Sequence, residues 1–344
     1  MTLPKKLATH PSVLAVQAKP AEKPSPVIDA AWLRELCLAA GADDAAAVSL
    51  DHPDLAGERP HVLGALPGTR SLISLVVRMN RDNVRTPARS VANQEFHRSG
   101  EIINEAAHKI VRALQDAGYR ALNPSATFPM EMERFPGRIW VVAHKPVAVA
   151  AGLGAMGIHR NVIHPKFGNF ILLATLLVDA EVSSYGAELD YNPCLECKLC
   201  VAACPIGAIS KDGAFDFSAC STHNYREFMG GFTDWAQTIA DSSDAAEFRE
   251  RVTDSENASM WQSLSFKPNY KAAYCMAVCP AGEDVLSPYL DDRKEFMATV
   301  LKPLQDKAET LYVTPGSPAK EYAERRFPHK PVKVVDSGIR RNPG

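Results

Sequence analysis

The feature that most constrains this chain is a run of four cysteines closed by a proline, Cys194-Leu-Glu-Cys197-Lys-Leu-Cys200-Val-Ala-Ala-Cys204-Pro205. This spacing is typical of an iron–sulfur cluster, and in two-cluster proteins the fourth cysteine ligates the other cluster. Two intervening residues let consecutive thiolates converge on one cluster, and the proline then directs the chain away. Structural zinc sites more often use two separated CxxC pairs, or CxxC with histidines. The run therefore predicts an iron–sulfur protein.

A second cysteine group follows, and its ending, Cys275-Met-Ala-Val-Cys279-Pro280, repeats the CxxxCP pattern of the first. By the two-cluster logic, Cys279 crosses over and completes the first cluster. The first cluster would then have four thiolate ligands, which are Cys194, Cys197, Cys200 and Cys279. Cys204 would cross over in the other direction and join Cys220 and Cys275.

This second ligand set is one thiolate short, because the position three before Cys275 is Ala272. Three alternatives stay open. The cluster could use a non-cysteine ligand, with His223 the nearest candidate. It could be a three-iron cluster, or its fourth iron could bind water or substrate. A second cluster of some kind is preferred over a single-cluster protein, since the Cys-Pro pairs are otherwise hard to explain.

Composition restricts the location and the partners. Of eight cysteines, only Cys37 lies outside the stretch from Cys194 to Cys279, which suits metal binding and a reducing compartment rather than a disulfide-rich secreted protein. The N-terminal region has no apolar signal segment and no run of 18 apolar residues occurs, so we expect a cytoplasmic protein without a membrane span. The formal net charge of -2 indicates no basic field for nucleic acid.

Apolar periodicity predicts an α+β fold in which strands and helices alternate up to about residue 182. Residues 1–27 are expected to be a flexible arm, and Cys37 is expected to be a small core residue. A proline-containing loop is expected between the first two strands. The predicted helices are Ala30–Ala40, about Ala92–Ala117 and Lys320–Arg326. The predicted strands are Ala45–Leu50, Ser71–Met79, Tyr119–Leu122, Ile139–Ala143, Phe170–Val178, Leu311–Val313 and Val332–Val335.

The stretch from Gly152 to Gly157 matches GxGxxG, with Asp179 downstream. A dinucleotide site needs this motif to open a helix that packs on the sheet. Pro165 and Gly168 cut the following segment short, which argues against a nicotinamide site. These glycines are instead expected to let the backbone approach another large or flat ligand.

Three segments together resemble the core of the epoxyqueuosine reductases and reductive dehalogenases. They are Lys145-Pro-Val-Ala-Val-Ala-Ala-Gly-Leu-Gly-Ala-Met-Gly157, His164-Pro-Lys-Phe-Gly168 and the strand that ends at Asp179, all followed by the cysteine run. The similarity covers roughly residues 30–290. The resemblance implies a nitroreductase-like, cobalamin-type α/β domain at 28–185 and a ferredoxin-like two-cluster module at 186–295. A β-α-β extension follows at 296–344.

The resemblance further implies base-off cobalamin beside the first cluster. Electrons would pass from a low-potential ferredoxin or flavodoxin to the second cluster, to the first, and then to cobalt. The cofactor-binding residues implied are Gly152, Leu153, Gly154, Gly157, His164, Phe167 and Gly168.

The chain departs from this pattern where a proton donor is expected. Epoxyqueuosine reductases carry an acidic residue just before the glycine segment, and here that stretch reads Val142-Ala143-His144-Lys145. His144 or Lys145 would then supply the proton, and His97 is a third catalytic candidate, since histidine transfers protons near neutrality. The tyrosine expected of dehalogenases corresponds to Phe96, beside Glu95.

Three functions follow as hypotheses. The first is a cobalamin-dependent reductase that acts on a small organic substrate. The second is a cobalamin-free protein that transfers electrons through two clusters. The third is tRNA modification, and the absence of a basic patch and of a helical-repeat tail argues against tRNA as the substrate.

Overall fold

The computed structural model describes residues 5–18, 24–135, 137–271 and 273–336. Ala272, on which the ligand count of the second cysteine group depends, lies outside the described residues. The helices are α1 Lys5–Ala8, α2 Pro11–Gln17, α3 Ala30–Ala40, α4 Arg59–Ala65, α5 Arg81–Arg85, α6 Arg89–Asp116, α7 His144–Ala150, α8 Leu199–Ala203, α9 Phe217–Asn224, α10 Gly230–Ala240, α11 Ala245–Arg251, α12 Asp254–Ser265, α13 Tyr274–Ala277, α14 Glu283–Asp291, α15 Arg293–Phe296, α16 Lys302–Asp306 and α17 Pro318–Arg326. The strands are β1 Val27–Ile28, β2 Asp44–Ser49, β3 Ser71–Arg78, β4 Ala121–Leu122, β5 Ala155–Met156, β6 Val162–Ile163, β7 Ile171–Val178, β8 Glu181–Val182, β9 Leu311–Val313 and β10 Val332–Val334. Short 3₁₀ turns cover Pro53–Leu55 and Met132–Arg134, and a π-helical turn covers Met297–Leu301.

A four-stranded antiparallel sheet in the order β2-β3-β7-β4 organises the first half of the chain. Strand β7 is central and almost entirely buried, as its continuous apolar sequence predicted. Antiparallel pairing makes this half α+β, in agreement with the predicted class.

Helices cover both faces of the sheet. Alternate residues of β3 and β7, such as Ile73 and Leu176, pack with α3 and α6 on one face. Their neighbours, such as Leu72 and Leu177, pack with α4 and α7 on the other. Cys37 is fully buried on the α3 side, as expected of a core residue, and burial raises its pKa to about 12.

The cysteine-bearing segments and the C-terminal segments share one apolar core. Ala203 and Val278, beside the cysteine groups, are buried in the same cluster as Leu301, Leu311 and Phe327. Strands β9 and β10 pair in parallel with α17 as their crossover, which is the β-α-β unit that the sequence predicted. Helix α17 also covers the cysteine segment, because Tyr322 packs directly on Gly207.

Several local predictions were wrong. Residues 139–143 form no strand; the amide of Ala143 and the Arg138 side chain hydrogen-bond instead to the carboxylate of Glu58, which is 9% exposed. The expected loop before β3 contains α4, which has a proline at the start of its first turn, where no amide hydrogen is required. The described part of the N-terminal arm includes α1 and α2.

Among the described residues, no helix combines the length and apolar character needed to cross a bilayer.

Candidate iron–sulfur centre

The clustered cysteines lie close enough together for their thiolates to raise one another's pKa, and the two ligand sets stay a prediction. The thiolate of Cys279 is coupled to those of Cys194, Cys197 and Cys200, although the long insert with α10–α12 separates it from them in sequence. The fold thus brings the four thiols of the predicted first cluster together.

The second group contains the remaining three clustered cysteines. Cys220 is coupled to Cys275 and Cys204, and Cys275 is coupled to Cys204. Helix α13 contains Cys275 and packs against α8, which contains Cys200. Negative charge on Cys275 also raises the pKa of the Cys200 thiol. The two groups therefore lie next to each other, as a path for electrons between two clusters requires.

Backbone amides point at several of the sulfurs. The Sγ of Cys204 accepts a hydrogen bond from the amide of Ala208 at 3.2 Å, and the amides of residues 206, 207 and 209 also lower the pKa of its thiol. Cys279 receives the amide of Ala281 in the same way. Hydrogen bonds to sulfur and burial are among the factors that set the potential of an iron–sulfur cluster.

The thiols are held in surroundings that disfavour free thiolates. Burial, followed by repulsion from neighbouring thiolates, raises the pKa of Cys200 and Cys220 to about 12. Burial likewise raises the pKa of Cys275 to about 11. Because metal ligands must be deprotonated, cluster assembly here must displace protons, and the metal supplies the compensating positive charge. The donor set fits iron–sulfur clusters.

Lys145 lies beside the second cysteine group. Its Nζ donates hydrogen bonds to the Arg160 carbonyl at 2.6 Å and to Asn161 Oδ1 at 2.9 Å. Although part of the residue is exposed, desolvation of its ammonium end lowers its pKa, and the thiolates of Cys275 and Cys220 oppose this effect. The sequence predicted a proton-transfer role for Lys145. The structure places its side chain beside the second cysteine group, next to Asn161, and the proton-transfer role stays a prediction.

His144 is hydrogen-bonded through both ring nitrogens. Its Nε2 lies 3.2 Å from the Ser125 carbonyl and its Nδ1 lies 3.0 Å from Thr175 Oγ1 on β7. Since a carbonyl only accepts, Nε2 carries the proton and Nδ1 accepts from the Thr175 hydroxyl. Burial lowers the pKa of His144, so the neutral ring is favoured. Both nitrogens are occupied by the protein, and a role in proton transfer stays a prediction.

His97 lies elsewhere, where α6 meets the end of the insert. Its Nε2 donates to the Pro268 carbonyl at 2.9 Å. Glu95, two residues earlier on α6, is 5% exposed and accepts from the Asn80 amide at 2.7 Å and from Asn83 Nδ2 at 2.9 Å. Phe96 packs against Tyr270. The hydrogen bonds of His97, His144 and Lys145 run to different parts of the fold, so the structure does not gather these three into one site.

The glycines of the predicted cofactor segment contact protein backbone. A Cβ at Gly152 would lie 2.1 Å from the Ala187 carbonyl oxygen, and one at Gly168 would lie 2.2 Å from that of Ala281. A Cβ at Gly154 would lie 2.5 Å from the Ile163 oxygen, and one at Gly157 would lie 2.8 Å from His159 Cε1. Gly152 and Gly168 thus join the sheet domain to the cysteine module. After Gly152 the chain continues into β5 and β6 rather than a helix, which confirms that the motif is no dinucleotide fingerprint.

The other predicted cofactor residues are also buried in protein. Leu153 is 5% exposed, and Phe167 stacks on His164 with ring centroids 4.7 Å apart. His164 Nδ1 accepts the amides of residues 166 and 167, so its Nε2 carries the proton and donates to Asp44 Oδ2 at 3.0 Å. Phe167 also lines an open cleft of about 570 Å³ together with Arg78. As a set, the residues predicted to hold a corrinoid do not fit one, because their surfaces face the protein.

His223, the candidate non-cysteine ligand, is buried between Tyr274 and Tyr312. Its Nδ1 accepts the amide of Tyr312 at 3.3 Å, and its Nε2 has no hydrogen-bond partner. Burial lowers the pKa of His223 to about 4, although the negative charge of Glu309 acts in the opposite direction. The ring is therefore neutral, and ligation of a cluster by His223 stays a prediction.

Comparison with known proteins agrees with the cysteine motif. Residues 187–210 match the family model of the 4Fe-4S binding domain. The epoxyqueuosine reductase of Cellulophaga algicola is 33% identical over 118 residues, which are 31% of this chain and 38% of that protein. The enzyme of the same name from Vibrio cholerae is 26% identical over 179 residues, which are 48% of this chain and 44% of that protein. The chain therefore contains a segment of the 4Fe-4S binding type and is similar to epoxyqueuosine reductases over part of its length. It matches less than half the length of these two curated relatives.

Solved structures of epoxyqueuosine reductases and reductive dehalogenases align with TM-scores below 0.5. The epoxyqueuosine reductase of Streptococcus thermophilus has a TM-score of 0.45 and is 15% identical, and the alignment covers 86% of this chain and 80% of that chain. Another epoxyqueuosine reductase was crystallised with an epoxyqueuosine-modified tRNA-Tyr stem loop; it is 14% identical with a TM-score of 0.42, and the alignment covers 86% of this chain and 81% of that chain.

Proposed function

We propose that this protein is an iron–sulfur reductase that passes electrons through two adjacent clusters. The observation that carries the proposal is the convergence of seven cysteines from separate segments of the chain. Cys194 packs with Cys279, and the other five, which are Cys197, Cys200, Cys204, Cys220 and Cys275, lie in one neighbouring apolar core. The names of the curated relatives support the reductase class.

Clusters, when bound, supply one-electron transfers, and the chain supplies their environment. In the first group Cys200 and Cys279 are 5% and 7% exposed, which keeps a reduced cluster away from bulk water. In the second group, the amides around Cys204 offset the negative charge that an incoming electron adds. The arrangement suits entry of an electron at the second group and its transfer to the first.

The family resemblance alone suggests a corrinoid as the electron acceptor beyond the first cluster. The closed packing of Gly152 and Gly168 gives no support to a corrinoid at the glycine segment. No step of the proposed mechanism therefore passes through cobalt. The second candidate, a cobalamin-free electron-transfer protein, is favoured by this packing.

We further propose a low-potential ferredoxin or flavodoxin as the donor, and a reducing compartment such as the cytoplasm. A small organic molecule is the preferred substrate. The composition disfavours tRNA as the substrate, but the names of the curated relatives, which are epoxyqueuosine reductases, speak against that expectation. A tRNA substrate therefore has to be included in activity tests.

The test is anaerobic purification of the full chain, followed by iron and cobalt analysis and absorbance before and after addition of cobalamin. Two complete clusters give about eight iron atoms per chain, and a complete cluster with a three-iron cluster gives about seven. Cys194→Ala should lose the first cluster and keep the second, and Cys220→Ala should do the opposite. Cys37→Ala is the matched control, since Cys37 lies in the core beneath α3, and it should keep both.

The outcomes separate the candidates. Stoichiometric corrinoid uptake supports the cobalamin-dependent reductase, and full iron without uptake supports electron transfer alone. About four iron atoms per chain, unchanged in Cys220→Ala, would refute the two-cluster proposal.

A further inference from the structure

A polar arm from the sheet domain reaches the second cysteine group. Asn161 Nδ2 donates a hydrogen bond to the Sγ of Cys275 at 3.8 Å. The other end of the same side-chain amide, Asn161 Oδ1, accepts a hydrogen bond from the Nζ of Lys145 at 2.9 Å. The cation is electrostatically coupled to Cys275 and Cys220. Neither residue belongs to the cysteine module, because Lys145 lies in the first turn of α7 and Asn161 lies in the turn between β5 and β6.

The turn that presents Asn161 is held in place from several sides. Its carbonyl accepts the amide of Gly157 and its own amide donates to His159 Nδ1, at 2.9 Å and 3.1 Å. Arg160 adopts a left-handed conformation with φ of 60°, which is costly for a residue other than glycine, and its carbonyl accepts from Lys145. His159 is 3% exposed. The strain and the buried support fix the direction of the Asn161 side chain.

This arrangement has a defined effect on a cluster. Reduction adds negative charge to the iron–sulfur core and its thiolates. An N–H donor on a ligand sulfur and a nearby ammonium both stabilise that added charge more than the oxidised state. The low effective dielectric of the interior strengthens the effect.

We propose that Lys145 and Asn161 form a cationic hydrogen-bonding arm that positions Cys275 and raises the reduction potential of the second cluster. The inference rests on the proposed function, because it requires a cluster on Cys204, Cys220 and Cys275. It assigns Lys145 a positioning role at the electron-entry cluster in place of the proton transfer expected from the sequence. The sheet domain thereby tunes the electron-entry cluster of the neighbouring module.

The test is a redox titration of the anaerobically purified full chain, followed by electron paramagnetic resonance so that each cluster reports separately. In Lys145→Gln and in Asn161→Ala, the reduction equilibrium of the second cluster should become at least tenfold less favourable. For a one-electron couple, tenfold corresponds to about 59 mV. The first cluster should keep its potential, and Lys145→Arg should restore most of the shift.

Lys109→Gln is the matched control, because Lys109 is an exposed lysine on α6 that pairs with Glu105 at 3.4 Å. It should leave both potentials unchanged. If Lys145→Gln does not assemble the second cluster, Asn161→Ala decides, since it removes the donor to sulfur without removing a charge. An unchanged second potential in Asn161→Ala overturns the arm, whereas wild-type protein with a single cluster overturns the proposed function itself.

Discussion

Gly168 joins the sheet domain to the segment that follows Cys279, and its substitution by alanine should damage both stability and the first cluster. The residue has φ of +66°, and its added Cβ would lie 2.2 Å from the Ala281 carbonyl oxygen and 3.2 Å from Val285 Cγ2. A left-handed conformation costs a residue with a Cβ about 1–2 kcal/mol. Forcing an extra carbon into a packed contact costs about 1–3 kcal/mol more. Together these predict a loss of about 2–5 kcal/mol in the free energy of unfolding.

A matched control separates the two contributions. Gly213 also has positive φ, +89°, but its Cβ would meet no atom closer than 3.8 Å. Gly213→Ala should therefore lose only the backbone contribution of about 1–2 kcal/mol. Urea unfolding of the wild type and both variants, analysed with the same dependence of the free energy of unfolding on urea concentration, gives the loss of stability in each variant.

The effect on iron is specific as well. Ala281 lies two residues after Cys279, and its amide points at that thiol, so a displaced Ala281 moves a ligand of the first group. Gly168→Ala should lose the signal of the first cluster before that of the second. Equal destabilisation of the Gly168 and Gly213 variants, with both clusters intact, would refute the argument that this contact links the two parts of the protein.

Three further outcomes are expected. Asp44→Asn should lower the free energy of unfolding by about 1–2 kcal/mol at neutral pH. Burial raises the pKa of Asp44, but hydrogen bonds from His164 and Arg34 outweigh it and hold the pKa at about 2. In denaturant titrations the wild type should therefore be more stable than the variant above about pH 4, and this difference should vanish as the pH falls through about 2. Cys37, with its pKa raised to about 12, should resist alkylation at pH 8 in the native protein and react only after unfolding, and labelling of the native chain at Cys37 in mass spectrometry would contradict this. Tyr322→Ala should speed the loss of the second cluster in air, because Tyr322 covers the loop after Cys204. The loss is measured as bleaching of the cluster absorbance, and equal bleaching rates in the variant and the wild type would show that α17 does not shield the second cluster.

The sequence was sufficient for elements whose pattern agrees with their tertiary surroundings. Ala30–Ala40 has an apolar face, an Asp29 cap and Gly41 in a left-handed conformation, and the structure has a helix with these bounds. The 4Fe-4S motif within 187–210 was also readable from the sequence, because cluster geometry dictates the ligand spacing, whereas the assignment of ligands to two clusters stays a prediction.

Elements whose form depends on distant partners were not predictable in this way. Residues 139–143 have strand-like composition, but the amide of Ala143 donates to the buried carboxylate of Glu58 and the carbonyl of Ile139 accepts the amide of Glu131. The direction of Lys145 depends on the turn at Asn161, and nothing in the local pattern at Lys145 reveals that turn. The lysine's place beside a CxxxCP segment more than a hundred residues away could be found only from the fold.

The crossover of Cys279 has a consequence for the order of synthesis. A ribosome that has just made Cys200 has supplied three of the four thiols of the first group, and the fourth lies beyond the entire insert. At about 5–20 residues per second, translation from Cys200 to Cys279 takes roughly 4–16 seconds. During that interval the nascent chain carries an incomplete, oxygen-exposed set of thiols. Delivery of the first cluster must therefore follow the synthesis of α10–α12, so the insert sets the earliest time at which this protein can be matured.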